Sequence, residues 1–139
     1  MYKVDLYMEN AGKSPREQED WYGYIIAYKG KMLYTIDGFG SYAGSRNRRD
    51  VYMFLQALKR CKACKMTVHT DSSYLKGGFK RIEQYEKNEW VKSDGNPVKN
   101  ADLWQEVAAE AQGKEISFQA GQHEYSGWLK TEIRRRKNV

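Results

Sequence analysis

Apolar and polar residues alternate at the start of the chain. Val4, Leu6 and Met8 fall on one side and Asp5, Tyr7 and Glu9 on the other, the period of a half-buried strand. Residues 10–20 are polar and read as a loop. Trp21 to Tyr28 is apolar and aromatic, Lys29-Gly30-Lys31 supplies a tight turn, and Met32 to Ile36 returns as the second arm of a hairpin. Gly38, Gly40 and Gly44 then mark a loop. The period changes at Asp50: Val51, Phe54, Leu55 and Leu58 recur at helical spacing as far as Lys59. Lys65 to Thr70 reads as a strand, and Ser72 as the cap of a helix that reaches Lys80. Ile82 to Lys92 is a second short helical piece, broken at Ser93-Asp94-Gly95-Asn96-Pro97. Asn100 is placed to cap a third helix containing Leu103, Val107 and Ala108. Glu115 to Ala120 is a short strand, 121–127 a loop, and Trp128 to Arg136 a last helix.

Three strands first, then alternating helices and strands, predict an α/β fold with a mixed sheet of five strands flanked by helices. No internal repeat or linker interrupts the pattern, so residues 1–139 are expected to form one domain. Hydrophobic residues at 40% and charged residues at 30% favour a packed core over disorder. The net charge of +6 favours partners that carry phosphates or anionic lipid. No stretch is apolar enough for a bilayer span and the first residues lack a signal-peptide pattern, so a cytoplasmic monomer with no membrane partner is expected. Cys61 and Cys64 lie at the end of a predicted helix rather than at the start of one, and they read as ordinary reduced thiols.

The chemistry is carried by acids. Thr70-Asp71-Ser72-Ser73-Tyr74 follows the buried strand Met66-Thr67-Val68-His69. An acid there stands at the carboxyl edge of the sheet, where open α/β sheets place their sites. Glu9 ends the first strand, Asp50 opens the first helix and Glu132 lies in the last. Several carboxylates from separate elements are what Mg²⁺ asks of a protein. Divalent ions about 4 Å apart can both activate water and neutralise a phosphodiester.

The stretch around Asp71, with Pro97-Val98-Lys99-Asn100-Ala101-Asp102-Leu103-Trp104, resembles ribonuclease H of the bacterial type 1 kind. The resemblance implies a ribonuclease H fold and an endonuclease that hydrolyses the RNA strand of an RNA–DNA hybrid. It implies Glu9, Asp50, Asp71 and Glu132 as ligands of two Mg²⁺ or Mn²⁺ ions, and His123 as an aid to proton transfer or product release. The family's usual acids are Asp, Glu and, at the end, Asp where this chain has Glu9, Asp50 and Glu132. Each exchange moves a carboxylate by one methylene, about 1.5 Å. For the hybrid, the expected contacts are Arg46, Asn47, Arg48 and Arg49 beside Asp50, and a basic protrusion of Lys76, Lys80, Arg81, Lys87, Trp90, Lys92 and Lys99. The alternatives are a binding module that keeps the fold without turnover, and a related nuclease acting on DNA.

Overall fold

The structure is a computed structural model that describes residues 1–138. Strands β1 (Tyr2–Asn10), β2 (Gln18–Lys29) and β3 (Leu33–Gly44) form an antiparallel meander. Helix α1 (Arg46–Leu58) crosses to β4 (Cys64–His69), and helices α2 (Ser73–Lys80), α3 (Ile82–Lys87) and α4 (Ala101–Glu110) lead to β5 (Glu115–Gln119). Helix α5 (Ser126–Lys137) closes the fold. The sheet runs β3-β2-β1-β4-β5, with β4 parallel to both β1 and β5.

The alternation read along β1 sorts the two faces. Leu6 and Met8, with Tyr22, Tyr24, Ile26, Met66 and Val68, pack against Val51, Phe54, Leu55 and Leu58 of α1 and Trp104 and Val107 of α4. Tyr7, Ile25 and Ala27 face the other way, under Leu129 of α5. Transfer of such side chains out of water stabilises by about 1.5–3 kcal/mol each before the entropy of ordering is counted.

Gly38, Gly40 and Gly44 were expected in a loop, yet β3 runs through all three. The cause is steric. A methyl at Gly38 would stand 2.3 Å from Tyr24 Cζ, and one at Gly40 2.7 Å from the Tyr22 hydroxyl. The glycines are the space into which the tyrosines of β2 lie, so the run is strand, not punctuation. The first helix also begins earlier than its apolar period: Ser45 caps it, accepting from Arg48 N at 3.1 Å, which puts Arg46 to Arg49 inside its first turns. Asn100 does not cap α4 through its side chain; it sits in the left-handed region (φ 62°). Its Oδ1 accepts from Arg48, and its amide donates to Tyr74. Ser72 caps α2 as expected, accepting from Leu75 N at 3.1 Å.

Candidate active site

The parallel register of β1 and β4 sets Tyr7 beside His69. Two residues further on, Glu9 and Asp71 come level at the carboxyl ends of neighbouring strands. Glu9 points to the α5 side, its carboxylate largely buried, whereas Asp71 lies just past β4 and is mostly exposed. Both line a pocket of about 150 Å³ with Lys13, His123 and Lys130.

Asp50 reaches the same edge from the α1 side. Its side chain is 3% exposed, so the fold takes a carboxylate almost wholly out of water. Asn10, the last residue of β1, donates from Nδ2 to Asp50 Oδ1 at 2.9 Å. Asn10 is itself fixed, because its Oδ1 accepts from Arg49 Nε at 2.9 Å and from Gly12 N at 3.0 Å. Arg49 is fully buried and clasps the start of β2 and the end of β3, donating from Nη1 to the carbonyls of Gln18, Tyr42 and Gly44. The chain Arg49–Asn10–Asp50 therefore locks one acid to the ends of three strands. The Ser72 hydroxyl approaches the Asp50 carboxylate and eases its charge, yet among the described residues no hydrogen bond reaches Oδ2. Burial raises the Asp50 pKa above its usual value; the Asn10 amide and the Arg46 guanidinium oppose this, and the Asp71 charge adds to it.

Cations sit among these acids. Lys13 Nζ lies 3.6 Å from Glu9 Oε1 and 3.9 Å from Asp71 Oδ2, and Arg46 Nη2 lies 3.5 Å from Asp71 Oδ1. As the side chains stand, no group of three or more His, Cys, Asp and Glu among the described residues is placed to hold one ion. The donor set nevertheless suits a hard cation: oxygens of three carboxylates at one edge, one of them a buried acceptor that no donor meets. Lys13 is exposed and on a flexible stem, so its ammonium can yield that place.

The family model for RNase H matches residues 3–121, which span β1 through β5 and include Glu9, Asp50 and Asp71. The chain belongs to the ribonuclease H family. It is accordingly a ribonuclease H-type phosphodiester hydrolase by class. Ribonuclease H of Thermoanaerobacter sp. is 31% identical over 118 residues, covering 83% of this chain and 74% of that one. Ribonuclease HI of Pasteurella multocida is 36% identical over 113 residues, covering 80% and 71%. Among solved structures, LC9-RNase H1, described as a type 1 RNase H with the type 2 active-site motif, overlays with a TM-score of 0.78 at 16% identity. That overlay covers 99% of this chain and 73% of the other.

The family match stops before α5, and there the structure departs from the expected set. Glu132 does not join the other acids. Its carboxylate pairs with Arg135 at 3.3 Å and Arg136 at 3.7 Å, and Arg136 lies over the Phe39 ring of β3. Glu132 follows Lys130 by two positions, about 200° around the helix axis, and it is Lys130 that lines the pocket with Glu9 and Asp71. His123 does line that pocket. Both its ring nitrogens are engaged: Nδ1 accepts from Tyr125 N and Nε2 faces the Met8 carbonyl, each at 3.2 Å, which assigns the proton to Nε2. Burial lowers its pKa, so the ring is neutral at pH 7.

The expected nucleic-acid contacts also divide. Arg49 is excluded by burial, since all of its surface lies inside the clasp. Arg48 grips Asp102 with two bonds of 3.0 and 2.6 Å and donates to Asn100 and Tyr42, tying α1 to α4. Trp90 is half-buried against Tyr85 and the main core, so its ring is largely taken. Lys87 pairs with Glu83 and Lys92 with Asp94. Asn47, Lys76, Lys80, Arg81 and Lys99 are exposed, and Arg46 is half-buried between Asp71 and Asp50. Asn10, Lys13 and Lys130 were not anticipated. The one available signal was the alternation of β1, which turns Asn10 to the helix side and Glu9 away from it.

Proposed function

We propose that this chain hydrolyses the RNA strand of RNA–DNA hybrids with divalent cations held by Glu9, Asp50 and Asp71. The observation that carries the reading is the convergence of these three carboxylates on one sheet edge, with the buried, unpartnered Oδ2 of Asp50 among them. Family membership supports the substrate class, and ribonucleases H generally use divalent ions. Mg²⁺ or Mn²⁺, two ions in the arrangement suited to in-line displacement, would supply an activated water and charge relief at the phosphate. Asn10 and Arg49 keep the Asp50 carboxylate aimed at the edge. Glu9 and Asp71 both line the pocket that the scissile phosphate would enter. His123, neutral and hydrogen-bonded through both nitrogens, walls the pocket and can take up a proton only after leaving the Tyr125 amide. Glu132 is left out of the ligand set by its orientation.

The test is hydrolysis of a labelled hybrid in Mg²⁺ and in Mn²⁺, with Asp71→Asn beside the wild type. We expect cleavage that this exchange lowers by about a hundredfold or more. Tight binding without cleavage in either ion would make the chain a binding module. Duplex DNA cut as fast as hybrid would assign it another substrate.

A further inference from the structure

A second cleft opens from the carboxylate pocket. It holds about 290 Å³ between the end of β1 and one flank of α5, and Glu9, Lys13 and Lys130 line both. Its α5 wall carries Lys130, Arg134 and Lys137, which stand one above another at helical spacing with the apolar Ile133 beneath. Lys13 projects from the opposite wall. Lys13 is balanced by Glu9, and Lys137 by Asp20 at 2.9 Å. Lys130 and Arg134 meet no carboxylate within ion-pair distance among the described residues. The cleft thus carries an excess of positive charge that no carboxylate among the described residues neutralises. The other flank of α5 is different: Arg135 and Arg136 are both held by Glu132.

We infer that this cleft is a phosphate subsite, which takes a backbone phosphate of the nucleic acid next to the one presented to Glu9 and Asp71. Arginine and lysine on facing walls suit a tetrahedral oxyanion, and the guanidinium of Arg134 can meet two of its oxygens at once. The shared wall makes the subsite continuous with the reacting position, so occupancy of the cleft sets which phosphodiester lies over the acids. The inference rests on the hydrolase reading above, and its test can separate the two.

Arg134 and Arg135 are chain neighbours with the same charge on opposite flanks, so each controls for the other. Binding of an RNA–DNA hybrid would be followed by fluorescence anisotropy in Ca²⁺, over a series of KCl concentrations, for the wild type, Arg134→Gln and Arg135→Gln. Arg134→Gln should weaken binding by about fivefold and reduce the slope of log affinity against log salt by about one. Arg135→Gln should change affinity by less than twofold. Equal effects of the two exchanges, or no effect of either, would overturn the subsite. If the asymmetry appears but the wild type cuts no hybrid in Mg²⁺ or Mn²⁺, the subsite stands and the hydrolase reading falls. If the wild type cuts hybrid without the asymmetry, only the subsite falls, and absence of hybrid binding removes both.

Discussion

Replacing Asp50 with asparagine should make the protein more stable in the absence of divalent ions, although it removes a residue of the candidate site. The wild-type carboxylate is 3% exposed; one oxygen accepts from Asn10 and the other has no donor. A buried charged acceptor without a partner costs about 1–3 kcal/mol or more. Asparagine has the same shape, keeps the oxygen that Asn10 donates to, and removes the charge. Its amide nitrogen still has to be desolvated, with the Ser72 hydroxyl as the acceptor at hand, so the net gain falls near the lower end, about 1–2 kcal/mol. In a chain of this length that corresponds to about 3–7 °C in Tm.

The pH dependence fixes the cause. Burial raises the folded-state pKa of Asp50 above its usual 3.8. The native state therefore holds this proton to higher pH than the unfolded chain does. Its contribution to stability is present below the unfolded pKa and is lost as pH rises through the folded one. The gap between wild type and Asp50→Asn should thus be smallest at pH 4 and widen as pH rises. Scanning calorimetry in EDTA at pH 4, 6 and 8 measures this. Divalent ions should act in the opposite sense: at ten times its dissociation constant a bound ion adds about 1.4 kcal/mol to the wild type, and Asp50→Asn should lose that increment. A gap that does not change with pH, or a variant less stable than wild type at pH 8 in EDTA, would refute the claim that burial of the Asp50 charge outweighs the Asn10, Arg46 and Ser72 groups that compensate it.

Two further exchanges probe the surroundings of the acids. Arg49→Met strips the carbonyls of Gln18, Tyr42 and Gly44 of a shared donor and frees Asn10, so urea unfolding should show a loss of about 3–5 kcal/mol; a loss below 1 kcal/mol would mean that the strand ends hold without the clasp. Glu132→Gln should leave hybrid cleavage within twofold of wild type in a steady-state assay, because its carboxylate faces Arg135 and Arg136; a tenfold loss would return Glu132 to the catalytic set.

Which parts of this arrangement could be read from the chain follows from how local each signal is. The first strand, the hairpin and the apolar stripe of α1 were legible because a period of two or of 3.6 residues is a property of neighbouring positions. Asp71 was legible because the acid, the end of the strand and the capping Ser72 fall within three residues. Gly38 and Gly40 misled because their role is to leave room for Tyr24 and Tyr22 on the next strand, a cross-strand relation that composition reads as a turn. Arg48 and Arg49 misled for a related reason: a run of arginines looks like a solvated basic patch until the fold supplies Asp102 for one and three strand-end carbonyls for the other.

Helix α5 shows where such reading stops. Leu129 and Ile133 announce its buried line, and from them the positions 130, 134 and 137 fall on one flank and 132, 135 and 136 on the other. Nothing in that spacing says which flank meets the end of β1. The sheet order decides it: α5 lies across β1 and β2, with Phe39 of β3 beside one flank and Glu9 beside the other. An acid on the wrong flank is a partly buried ion pair with its own helix, whereas lysine and arginine on the right one stand at the mouth of the carboxylate pocket. The electrostatics of the site therefore depend on the rotation of one helix about its own axis, and a turn of about 100°, one residue of register, would exchange its basic wall for another.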